Sequence, residues 1–118
     1  MSYINKPGKT TAWRKMVIRQ QVSDLISYGK IITTVTKAKE SQRHIERLIT
    51  AAKEKNLVNT CKFNSFLLNT KNDTVDVLVE KLYKLGEKYT SRKGGYTRVL
   101  KMNTRPGDRT QEAVIAFV

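Results

Sequence analysis

Ala38, Ile45, Leu48, Ile49 and Ala52 recur at the spacing that lines them up along one side of a helix, while Lys39, Arg43, Glu46, Arg47 and Lys53 fall towards the other. This is the clearest amphipathic element in the chain, and its apolar stripe has to be buried against other elements. The 118 residues allow one real core and not two, so a single domain is expected. Thr34 or Thr36 opens this helix, directly after the β-branched run Ile31 to Val35, which favours a strand.

The other elements follow from the same signals. Thr10 or Thr11 can cap a first helix running to about Tyr28, with Gly29 at the stop. Its first turns carry Arg14, Lys15 and Arg19 around Trp13, and Ile18, Val22, Leu25 and Ile26 share one side of its later turns. A short helix is expected between Leu57 and Leu68, although Asn59, Thr60, Asn64 and Ser65 are poor helix formers. Asn72 or Asp73 starts another helix with the apolar stripe Val75, Leu78, Val79, Leu82 and Leu85, and Gly86 is its candidate terminator. Strands are expected from Tyr96 to about Met102 and from Ala113 to Val118, with Arg105 to Asp108 as a turn. The last strand is apolar on both alternating faces, which suits a central position in a sheet or cover on both sides. The expected fold is α+β: about four helices packed on a small three-stranded mixed sheet over residues 10–118, preceded by a basic extension, Met1 to Lys9.

Charge is distributed unevenly along this frame. Met1 to Ser23 holds five basic residues and no acid, and Lys88 to Arg109 holds seven against Asp108 alone. A formal net charge of +13 favours a polyanionic partner, because neutralising phosphates releases counterions. Lysines outnumber arginines roughly two to one, which suits point-charge contacts to phosphate more than bidentate reading of bases. No apolar stretch reads as a signal segment or membrane span, and the single cysteine, Cys61, reads as a small buried hydrophobe in a chain of the cytosol.

Catalytic and metal motifs fail on their mechanics. Gly8-Lys9-Thr10 resembles the end of a phosphate-binding loop, but Tyr3 stands where an earlier glycine is required. His44 has no histidine or cysteine at ligand spacing, and most acids are interleaved with lysines on helices as surface ion-pair partners. No enzyme activity, cofactor, metal or small-molecule substrate is expected. An RNA-processing enzyme would need a carboxylate or histidine cluster, and a free single-strand binding module would present aromatics along a sheet face, where only Tyr96 qualifies.

The segment that carries chemistry is Arg92-Lys93-Gly94-Gly95-Tyr96-Thr97-Arg98, followed by Lys101, Arg105 and Arg109. Two glycines let backbone amides approach a phosphate, Thr97 can donate a hydroxyl, and the cations attract. Tyr96 suits a stacking role and a core role equally well. Lys6, Lys9, Arg14, Lys15 and Arg19 at the N-terminal end, and Lys37, Lys39 and Arg43 on the second helix, complete the set of candidate RNA contacts.

Thr33-Thr34, Lys37-Ala38-Lys39-Glu40, Arg43, Glu46, Leu48-Ile49-Thr50 and Ala52-Lys53 are followed by Arg92, Gly94 to Arg98, Lys101, Arg105 and Gly107-Asp108. In that order and spacing the chain resembles the bacterial large-subunit ribosomal protein L-seventeen family, from about Trp13 to the last strand. The resemblance implies a compact α+β domain in the cytoplasmic ribosome, on the solvent side of the large subunit near the peptide exit tunnel. Its implied partners are large-subunit rRNA and neighbouring ribosomal proteins. Family members usually begin Met-Arg-His and place a histidine before the first-helix arginine; here Ser2-Tyr3 follow Met1, and Trp13 precedes Arg14.

Overall fold

The computed structural model describes residues 10–118; the extension Met1 to Lys9, with the candidate contacts Lys6 and Lys9, lies outside the described residues. The first helix is bounded by local signals at both ends. In α1 (Thr11–Tyr28) the Thr10 hydroxyl accepts from the Trp13 amide at 3.2 Å. Gly29, at φ 84°, closes the helix with its amide on the Leu25 carbonyl. The chain then extends into β1 (Lys30–Thr34) and re-enters helix as α2 (Val35–Ala52). Asn56 caps α3 (Leu57–Phe66) by accepting from the Asn59 amide. The last helix, α4 (Val75–Lys88), starts later than Asn72 or Asp73 because the Asp73 carboxylate is taken by the Ser27 hydroxyl and the Lys81 ammonium, each at 2.6 Å. Asn69 instead accepts from the Val75 amide.

Two strands follow, β2 (Thr97–Thr104) and β3 (Gln111–Phe117), and β3 lies between β1 and β2. The sheet, expected to be mixed, is antiparallel throughout. The pairing aligns Ile31 with Ile115 and Val99 in one row, and Ile32 with Val114 and Leu100 in the next. Because neighbouring residues point to opposite faces, the first row faces the helices and the second faces outward. Ile115 is fully buried while Ile32 and Leu100 remain 61% and 56% exposed. The central position expected of the last strand is observed, and among the described residues the helices cover one face of the sheet.

The core joins Val22, Leu25 and Ile26 of α1, Ile45 and Ile49 of α2, Leu78 and Leu82 of α4, Phe63 of α3 and Ile115 of β3. Both long stripes read from the sequence are used. Cys61 is exposed, not buried, because the one fully buried residue of its short helix is Phe63. Gly86 does not end α4; the helix runs on to Lys88. Its role is close approach, since a Cβ there would lie 2.5 Å from the Ala52 carbonyl oxygen.

Polar bonds fix how α2 meets the sheet. Glu46 turns away from solvent towards the start of β2, where its carboxylate accepts from the amides of Gly95, Tyr96 and Thr97 at 3.1, 3.3 and 3.2 Å. It also accepts from the Thr97 hydroxyl at 2.9 Å. One turn earlier, Gln42 donates to the Thr97 carbonyl. At the other side of the helix layer Ser41 donates to Gln21, whose amide donates to Thr33, tying α2, α1 and β1 together.

Two substitutions test this packing. Gly86→Ala should destabilise the domain by about 1–3 kcal/mol despite the gain in helix propensity, because α2 and α4 must separate; a thermal melt followed by circular dichroism reads it. Glu46→Ala strands three amides and a hydroxyl and should cost about 2–4 kcal/mol, with Glu46→Gln in between. Amide hydrogen exchange at residues 95–97 should accelerate selectively in the Glu46→Ala protein.

Candidate nucleic-acid interface

The glycine-containing basic segment was the strongest chemical signal in the sequence, and the structure redistributes its parts. Gly95 takes φ 68°, so the loop needs a residue without a Cβ there. The turn aims three successive amides at one point, the arrangement that binds anions. The anion at that point is the Glu46 carboxylate of the chain itself. The amides and the Thr97 hydroxyl are therefore occupied inside the protein, and Thr97 is buried.

Tyr96 is a core residue and not a stacking platform. Its ring is fully buried against Tyr89, with centroids 5.3 Å apart, and its hydroxyl lies within 3.2 Å of the Thr50 hydroxyl. Lys53 crosses the tyrosine ring and donates to the Arg92 carbonyl. The pairing holds the loop from below.

The candidate cations divide by what they touch. Arg19 donates to the Phe66 and Ser65 carbonyls at 2.7 and 3.0 Å, closing the exposed end of α3. Arg92 donates to the Val118 carbonyl and lies over the Tyr89 ring. Arg43 pairs with Glu40 at 3.4 Å. The Arg105 guanidinium binds both carboxylate oxygens of Asp108 at 3.1 and 2.6 Å, which holds the Asp108 carboxyl well below the usual carboxylate range. That pair braces the β2–β3 turn, where Gly107 and Arg109 both have positive φ. Lys37 sits over the Trp13 ring, 5.5 Å from its centroid.

Lys15, Lys39, Lys93, Arg98, Lys101 and Arg109 are exposed, and none makes a side-chain hydrogen bond or ion pair within the described residues. Arg98 and Lys30 flank Ala116 on the outward face of the sheet. Lys93 precedes β2, Lys101 lies midway along it in the register of Val99 and so on the face opposite to Arg98, and Arg109 lies in the turn that follows, so the free cations are spread along β2 on both of its faces. Gly94 is exposed beside Lys93, and a Cβ there would meet nothing within 4 Å.

Two acids carry weight that the sequence did not reveal. Glu46 looked like an ordinary outward residue of α2, and Glu40 is only 8% exposed although it belongs to a charged run. His44 stacks on Phe66, and its burial, aided by Arg47, keeps it less basic than a free histidine. Among the described residues no group of three or more His, Cys, Asp or Glu is placed to hold a metal ion, and no helix is long and apolar enough to cross a membrane.

Comparison with known proteins agrees with the resemblance on most of the chain. A family model described as Ribosomal protein L17 matches residues 17–118. The chain is 60% identical to the large ribosomal subunit protein bL17 of Ureaplasma parvum, with both chains covered in full. It is 53% identical to the protein of the same name from Malacoplasma penetrans, again over the whole of both chains. Against that of Mycoplasma genitalium the identity is 50%, covering all of this chain and 97% of the other. The chain belongs to the ribosomal protein L17 family.

Proposed function

We propose that the protein is a structural constituent of the large ribosomal subunit in the cytoplasm and that it binds large-subunit rRNA beside neighbouring ribosomal proteins, near the peptide exit tunnel. The supporting observation is the set of exposed cations without internal counter-ions, Lys93, Arg98, Lys101 and Arg109, spread along β2 and its flanking turns, beside a strand entry whose amides are already satisfied by Glu46. Such a surface neutralises close phosphate strands and holds their arrangement without reading sequence. Lys15 and Lys39 add to it from α1 and α2. Tyr96, Thr97 and the Gly95 amide support it from inside; they shape the strand entry and leave the contacts to the side chains. The role is architectural, and no catalytic step is assigned to it.

Salt dependence tests this reading. Binding of the purified protein to large-subunit rRNA fragments should weaken steeply with salt, by on the order of a thousandfold between low and physiological ionic strength for roughly 6 to 10 phosphate contacts. Replacing Lys93, Arg98 and Lys101 together by alanine should leave the circular dichroism and melting temperature nearly unchanged, lower the affinity by a few kcal/mol and reduce the logarithmic salt slope by about three. Affinity flat across that salt range, or a triple variant with wild-type affinity and slope, would remove β2 from the interface.

A further inference from the structure

The outward face of the sheet carries an aliphatic row that the core does not use. Ile32, Val114 and Leu100 lie side by side across β1, β3 and β2, and Ile32 and Leu100 are each more than half exposed among the described residues. Charged residues border the row, with Lys30 and Arg98 in the next outward row on one side and Glu112 on the other. Lys30 is exposed and makes no hydrogen bond or ion pair within the described residues. An aliphatic patch in the middle of a strongly charged surface marks a place of contact.

We propose that this row docks an amphipathic segment of a neighbouring large-subunit protein, whose apolar side chains cover Ile32, Val114 and Leu100 and whose acidic side chain pairs with Lys30. The proposal rests on the ribosomal reading and assigns a partner to one face of the domain. Neighbouring strands lie about 4.8 Å apart, so the face measures roughly 10 Å from β1 to β2, close to the diameter of a single helix. One short segment is enough to cover it. Arg98 stands on the β2 side, two strands away from Lys30, and stays at the boundary with phosphate.

Other occupants complement the face less well. Ile32, Val114 and Leu100 offer neither a hydrogen-bond donor nor an aromatic ring, so a phosphate or a base gains nothing over them. A second copy brings a further net charge of +13, and a stable interface of standard size takes about 800 Å² from each partner, more than three short rows of one small sheet supply. A segment already held in an assembly by its own rRNA contacts needs less area. Residues 1–9 of the chain itself carry Lys6 and Lys9 and no acid, and so lack the charge that Lys30 asks for.

The test uses large subunits purified from cells whose protein carries the photo-crosslinking residue p-benzoylphenylalanine in place of Leu100. On irradiation, position 100 should cross-link to a peptide of another protein that has apolar residues at helical or strand spacing and an Asp or Glu among them. Lys30→Glu in the same chain should lower the yield of that cross-link about three- to tenfold, and Lys30→Arg should preserve it. Ile32→Ser combined with Leu100→Ser removes apolar area without altering charge. That variant should keep its circular dichroism, its melting temperature and its salt-dependent binding to rRNA fragments, yet leave the large subunit at lower salt than the wild type. Cross-linking to rRNA, to a second copy, to residues 1–9 or to a peptide without an acid overturns the docking surface. So does the absence of any cross-link, a yield unchanged by Lys30→Glu, or wild-type retention of the double serine variant. If the protein still sediments with large subunits in those cases, the docking surface alone fails; if it never enters them, the ribosomal reading fails with it.

Discussion

The arrangement of the rest depends on one carboxylate. Glu46 occupies the point at which the amides of Gly95, Tyr96 and Thr97 converge, and so fixes where β2 begins relative to α2. A turn of this shape attracts an anion from whatever source is near. Supplying that anion from α2 satisfies the buried donors before any partner arrives and turns a phosphate cradle into a structural joint. With Thr97 held at both its amide and its carbonyl, the alternation along β2 is set, and Arg98 must face away from the helices.

The same helix is the hub of the packing. Its apolar stripe supplies Ile45, Leu48 and Ile49 to the core, its C-terminal end meets α4 at Gly86, and its polar residues Ser41, Gln42 and Glu46 bind α1 and β2. The basic residues divide accordingly. Those beside exposed carbonyls or acids, such as Arg19 and Arg105, stabilise helix ends and turns, and those on open strand and helix faces remain available to phosphate. Net charge alone did not separate these two populations. Position did.

Much of the fold was legible because it rests on local rules. The Thr10 cap, the Gly29 stop and the stripes of α2 and α4 each depend on residues within a few positions, and each stands where the pattern placed it. What the sequence concealed was contact between distant segments. Gly86 has the look of a helix terminator until Ala52 is placed against it, and Asp73 has the look of a cap until Ser27 and Lys81 claim it. Cys61 was misjudged because apolar neighbours in sequence were taken for neighbours in space. The candidate site divided in the same way: its cations were visible from composition, but the burial of Tyr96 and the internal anion at Gly95 required the pairing of residues about 50 positions apart.

The central claim is that this externally cationic domain is a constituent of the large ribosomal subunit. Gradient sedimentation of cell lysate in moderate salt, with the protein quantified across the fractions, tests it most directly. The account predicts that nearly all of the protein travels with the large subunit and with whole ribosomes, and stays there as the salt is raised moderately. Recovery mainly in the slow, free-protein fractions would contradict it.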